Sequence, residues 1–105
     1  MNPTPGRIVH YRLTAENAVM INRRRTDGLS IHERIAAEKW PLGAQAHIGS
    51  VAIEGEYLPM MVVRCWDDNP GVVNGQVFLD GNDTLWVTSA KEGEGPGTWT
   101  WPPRA

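Results

Sequence analysis

The sequence predicts a mainly β (α+β) fold, a small SH3-like open barrel or curved antiparallel sheet with a helical insertion at about residues 14–40. Three observations predict it. Between Pro59 and Ser89, runs rich in Val, aromatic residues and Thr are bounded by Gly, Pro, Asn and Asp clusters, the pattern of short paired strands. Eleven Gly and 8 Pro in 105 residues favour a turn-rich β chain over a helical bundle. About five such runs occur along the chain, with a helical pattern between the first and second. A sheet with helices packed on one face is the alternative architecture.

Taken in order, Gly6–Arg12 is a first strand, with β-branched Ile8 and Val9 at its centre. Thr14 caps a helix whose first turn carries Glu16, suited to the positive end of the dipole. Its pattern places Ala15, Ala18, Val19 and Asn22 on one side and runs into Arg23-Arg24-Arg25. After Asp27-Gly28, the capping-box pattern Ser30-x-x-Glu33 opens a second short helix that ends near Trp40, ahead of Pro41. Ala44 to Glu56 reads as a weak strand, or one with a bulge at Gly49. A three-strand meander follows: Met60–Trp66, a second strand to Asp80, and a third from Thr84. Lys91 to Gly97 is a glycine-rich loop leading to Trp99 and Trp101. Without repeats or a dividing linker, residues 1–105 read as a single domain.

Period-two alternation divides the meander into two faces. Met61, Val63, Cys65, Val73, Val77, Leu79, Leu85 and Val87 form an apolar face; Arg64, Trp66, Asn74, Gln76, Phe78 and Trp86 share the other. A solvated sheet face is usually Thr, Lys and Glu, so three large aromatics beside an Arg, an Asn and a Gln read as a surface that stacks on and hydrogen-bonds to a partner. That partner is either a small molecule or another protein.

A net charge of −2 disfavours non-specific nucleic-acid binding, which needs clustered cationic surplus. Asn22, Arg23, Arg24 and Arg25 offer two readings. Cations at a helix C-terminus complement its dipole, and guanidinium forks also match phosphate oxygens. His10, His32 and His47 lack metal-ligand spacing, so neither a metal nor a cofactor is expected. The lone Cys65 excludes an internal disulfide and reads as a small core residue. Asp80-Gly81-Asn82-Asp83 reads as a tight hairpin turn with positive φ in preference to a metal loop. Gly95-Pro96-Gly97 lacks the neighbours of a phosphate loop. Trp99 and Trp101 fall on the same side of a strand and are expected to pack on the barrel end or on a neighbouring subunit. Five tryptophans in so short a chain point to a homo-oligomer. With no secretory segment and no apolar run of membrane-spanning length, no membrane association is expected and the location expected is a cytoplasm.

The stretches Gly6-Arg7-Ile8-Val9-His10-Tyr11, Pro59 through Val62-Val63-Arg64, Asn74 through Ser89 and Gly97-Thr98-Trp99-x-Trp101-Pro102 resemble a widespread group of small phage and prophage proteins of unknown function. Many of these lack the helical insertion. In size and ligand-like chemistry the chain is also similar to viral sponge proteins that sequester the cyclic nucleotide signals of Thoeris and CBASS immunity. These resemblances imply a phage-encoded protein acting in the host cytoplasm. The expected function is non-enzymatic: binding a small nucleotide-like anion, arginines on the phosphate and aromatics on the base. A virion or assembly component, or a protein-binding inhibitor of a host enzyme, is the alternative.

Overall fold

Short β-branched runs separated by turn residues tend to pair with their sequence neighbours, and all but the last strand of this chain do so; the last pairs with the first. The computed structural model describes residues 2–24 and 49–103. Within them run strands β1 (Ile8–Arg12), β2 (Tyr57–Cys65), β3 (Val72–Phe78), β4 (Thr84–Lys91) and β5 (Trp99–Thr100). All pairs are antiparallel, in the order β4-β3-β2-β1-β5. A parallel bridge between Glu92, just beyond β4, and Trp99 draws the two ends of that order toward each other. The sheet is therefore a curled half-barrel, and the predicted open barrel with a helix after its first strand is what forms.

The helix α1 covers residues 15–24 of the described chain. Thr14 caps it as expected: its hydroxyl accepts the Asn17 N–H at 3.0 Å, while Asn17 Oδ1 accepts the Thr14 N–H at 3.0 Å. This reciprocal box uses Asn17 where Glu or Gln is usual. The buried stripe is Ala18 and Ile21, whereas Ala15 and Val19 face solvent, a correction to the predicted side. Asn22 explains the rotation. Its amide clamps the backbone of Ala52, donating to the carbonyl at 2.9 Å and accepting from the N–H at 2.7 Å. Asn22→Ala leaves both buried groups unpaired and is expected to cost about 1–3 kcal/mol. An unchanged urea midpoint would show that the clamp contributes nothing.

Beneath the sheet lies one core, with Val9, Tyr11 and Leu13 from the first strand region, Met60 and Val62 from β2, Val73 and Val77 from β3, and Trp99. Here β2 is one residue out of phase with expectation. Met60 and Val62 are buried and Met61 and Val63 are exposed, because Met60 pairs with Val77 and Val62 with Gly75. In the run Met60–Val63 every residue is apolar, so alternation alone could not set the phase. A register shift between Val62 and Arg64 then returns Cys65 to the inner side, opposite Val73.

Two other expectations change. Gly81 does not adopt positive φ; the hairpin from Phe78 to Thr84 closes with Gly81 N–H on Leu79 O at 2.8 Å. Residues 49–56 form no strand, only a bridge from Gly49 to Gly81 and a turn at Glu54-Gly55. The predicted second helix at 30–40, Arg25, His32 and His47 lie outside the described residues. Among the described residues no helix is long and apolar enough to cross a membrane.

Candidate ligand-binding site

The outward residues of β1 are Ile8, His10 and Arg12, alternating with buried Val9 and Tyr11. Register sets Arg12 opposite Tyr57 and His10 between Pro59 and Thr100. The guanidinium of Arg12 consequently lies over the Tyr57 ring, 5.2 Å from its centroid. Two turns then close on it. The turn at residues 53–56 hydrogen-bonds β1's end through Gly55 N–H to Leu13 O at 2.9 Å, and its Gly55 carbonyl accepts Arg12 Nε–H at 3.0 Å. On the other side Gly97, held at φ 83 after Pro96, donates its N–H to Arg12 O at 2.8 Å. Positive φ at that position is open to glycine without the cost other residues meet. The loop it anchors presents the Glu94 carbonyl to Arg12 Nη1 at 2.7 Å and to the Tyr57 hydroxyl at 3.4 Å.

Arg12 is thus immobilised by two backbone carbonyls and an aromatic face. Two of the five guanidinium N–H groups are used, and the remaining three meet no acceptor among the described residues. Around it opens a cleft of about 610 Å³, lined also by His10, Glu94, Thr100 and Trp101. Trp101 is backed by the fully buried Trp99, which it meets edge-on at 5.7 Å and 90°. Trp99 is itself fixed by Nε1–H donation to Gly71 O at 2.7 Å. Of the two packings expected for this pair, on the barrel end or on a neighbouring subunit, the first is what forms: Trp99 fills the core, and Trp101, partly buried, packs against it and forms cleft wall.

Compared with known proteins, the chain matches no family model, no curated protein and no solved structure.

The residues singled out from sequence fall into four places. Gln76, Phe78 and Trp86 do share the outer sheet face, where Ile8 pairs with Met61, Met61 with Gln76 and Gln76 with Trp86 in one row across four strands. Because of the phase of β2, that face is more apolar than expected: Ile8, Met61, Val63, Phe78 and Trp86 are between 38% and 49% exposed. Asn74 is turned to a structural task, accepting the Ser89 N–H at 2.8 Å where Ser89 sits at φ 53. Arg64 lies 5.4 Å over Trp66, away from the row, and Trp66 borders a separate cavity of about 340 Å³ with Pro3 and Pro70.

The helix residues are not gathered there. Asn22 is the Ala52 clamp, and Arg23 is exposed. Arg24 reaches the β3–β4 hairpin, donating to Thr84 O at 3.2 Å and standing 3.7 Å from the buried carboxylate of Asp83. Its Nε and Nη2 are buried and meet no partner among the described residues. The cluster is divided by its own helix, since residues one apart on a helix point about 100° apart.

Cys65 behaves as the sequence suggested. Its thiol donates to Pro3 O at 3.1 Å, and burial, aided by the charge of Asp67, pushes its pKa up, which keeps it protonated and a poor nucleophile. Burial likewise raises the pKa of Tyr11, whose hydroxyl donates to Asn17 Oδ1 at 2.9 Å. Among the described residues no three His, Cys, Asp or Glu side chains gather as metal ligands would. Sequence reasoning missed His10, Arg12, Tyr57 and Trp101 as one site. The available signal was alternation in β1, which places His10 and Arg12 on one face; their meeting with Tyr57 and Trp101 depends on register.

Proposed function

We propose that this protein is a non-enzymatic binding module that captures and sequesters a small nucleotide-like anion. Its acidic group is held by Arg12 and its ring lies against Tyr57 and Trp101. The observation that carries this reading is the immobilised guanidinium in an aromatic-walled cleft. A prepositioned Arg loses little entropy on binding and offers forked donors to an oxyanion. The cleft volume also falls in the range of about 300–1,000 Å³ usual for small-ligand sites. The ligand class proposed includes cyclic nucleotide immune signals, with the protein acting as a phage accessory factor in the host cytoplasm.

Thermal unfolding against cyclic mono-, di- and trinucleotides and ADP-ribose derivatives tests it. A ligand at about 100 times its Kd should stabilise the fold by about 2.7 kcal/mol. Arg12→Lys preserves charge but not the fork, and is expected to lose at least about 2 kcal/mol of binding, as does truncation of a desolvated charged partner. Parent-like binding by Arg12→Lys and Trp101→Ala together would rule this site out.

The exposed row Ile8–Met61–Gln76–Trp86 favours a second reading, in which the outer face docks a protein partner or a second copy. In that case Trp86→Lys abolishes partner capture or lowers the solution mass to that of a monomer, nucleotides give no thermal shift, and Arg12→Lys is silent.

A further inference from the structure

We infer a second binding site centred on Trp66, at the opposite end of β2 from Tyr57, for an extended proline-containing segment of a partner protein with a cationic side chain on each side of its prolines. Trp66 and Val72 together border two hollows, one of about 340 Å³ and one of about 190 Å³. Asp67 lines the first and Asp68 the second, and both are exposed. Consecutive carboxylates thus fall in separate hollows that share one indole ring. A segment laid across Trp66 meets aromatic surface at its centre and a negative charge toward each end, and that complementarity favours cations over anions.

Proline is the residue that suits the centre. The larger hollow is already walled by such a segment of this chain, since Asn2-Pro3-Thr4-Pro5 lies outside every strand and lines it along with Pro70. Pro3 is buried there, and the Cys65 thiol donates to its carbonyl at 3.1 Å. A proline-rich partner holds its extended shape before binding, so an aromatic-lined groove takes it at little entropic cost. The wall of the smaller hollow is also set in advance. Ser89 lines it at φ 53, a conformation costly for a residue other than glycine, and Asn74 Oδ1 accepts its N–H at 2.8 Å. Arg64 is a like charge that a cationic partner meets. It lies 5.4 Å over the Trp66 ring, lines neither hollow and is exposed, so it steadies the ring while solvent screens its repulsion.

The test is an NMR titration of the ¹⁵N-labelled full chain with three blocked peptides: Ala-Arg-Pro-Pro-Arg-Ala, the same peptide with Glu for both Arg, and the same peptide with Ala for both Pro. The first is expected to move the amide signals of Trp66 and Ser89 while those of Arg12 and Thr100 stay in place. It should bind at least about tenfold tighter than the Glu peptide, a difference of about 1.4 kcal/mol, and severalfold tighter than the Pro-free one. Asp67→Asn combined with Asp68→Asn changes two exposed side chains and should bring the Arg and Glu peptides to within about threefold of each other. Equal binding of the Glu peptide, or an unchanged ratio in the double variant, overturns the charge selection and the site with it. Equal binding of the Pro-free peptide overturns the proline assignment. No saturation at millimolar peptide, or shifts that leave Trp66 and Ser89 untouched, overturns the site outright, and none of these outcomes bears on anion capture at Arg12.

Discussion

Trp99→Ala is expected to bring the protein close to its unfolding limit, removing at least about 3–5 kcal/mol, the usual cost of deleting a buried tryptophan, from a typical total of about 5–15. Three losses coincide. The ring is fully buried at the heart of the core, so its removal leaves a cavity that neighbours held in a sheet fill poorly. Gly71 O, at a partly buried position, loses the 2.7 Å bond from Nε1–H. Trp101 loses its edge-on support, and with it the cleft loses a wall. Trp99→Phe separates these effects, since it retains most of the volume but not the N–H, and should cost about 1–2 kcal/mol for the lost hydrogen bond and residual gap. Urea unfolding followed by circular dichroism distinguishes them. A Trp99→Ala midpoint within error of the parent would mean that β5 does not hold the barrel together.

Gly75→Ala is the second large effect, expected to destabilise by about 3 kcal/mol, at the upper end for overpacking. A methyl there would stand 2.6 Å from Met61 O, 2.7 Å from Met60 Cγ and 2.9 Å from Met60 Sδ. The oxygen belongs to β2, which is tied to β3 by the pairs Met60–Val77 and Val62–Gly75, and Met60 is fully buried, so neither neighbour yields cheaply. Adding Met60→Ala removes the side-chain clash but leaves the carbonyl. The double variant should therefore be more stable than the sum of the two single losses, by a coupling of about 1 kcal/mol or more. Strict additivity would show that the β2 backbone alone sets the cost.

Arg24 shows how a sequence reading is altered by tertiary placement. Three consecutive arginines at a helix end look alike in one dimension, and solvation or anion binding was a fair expectation for each. Folding assigns Arg24 to Asp83 and Thr84 O and leaves Arg23 in solvent, because helical geometry turns neighbouring residues to different surroundings. Asn22 and Asn74 follow the same course. Both are polar residues at places where the backbone departs from ladder pairing, at Ala52 and at Ser89, and each supplies the missing partner.

What the sequence by itself determined is the class and, apart from the weak strand expected between Ala44 and Glu56, the order of elements. The runs of β-branched residues, the Pro70-Gly71 and Pro96-Gly97 turns and the Thr14 cap are local signals, and local physics suffices to read them. Gly71 and Gly97 do adopt positive φ at 85° and 83°. The tertiary structure alone decided which side of β2 faces inward, because four consecutive apolar residues carry no alternation and only pairing with Val77 and Gly75 fixes the phase. It also decided the site. His10 and Arg12 lie some ninety residues from Trp101 in sequence, as the numbering shows, and more than forty from Tyr57. They converge because β1 lies between β2 and β5, a long-range arrangement set by closure of the half-barrel over one core and written in no local motif.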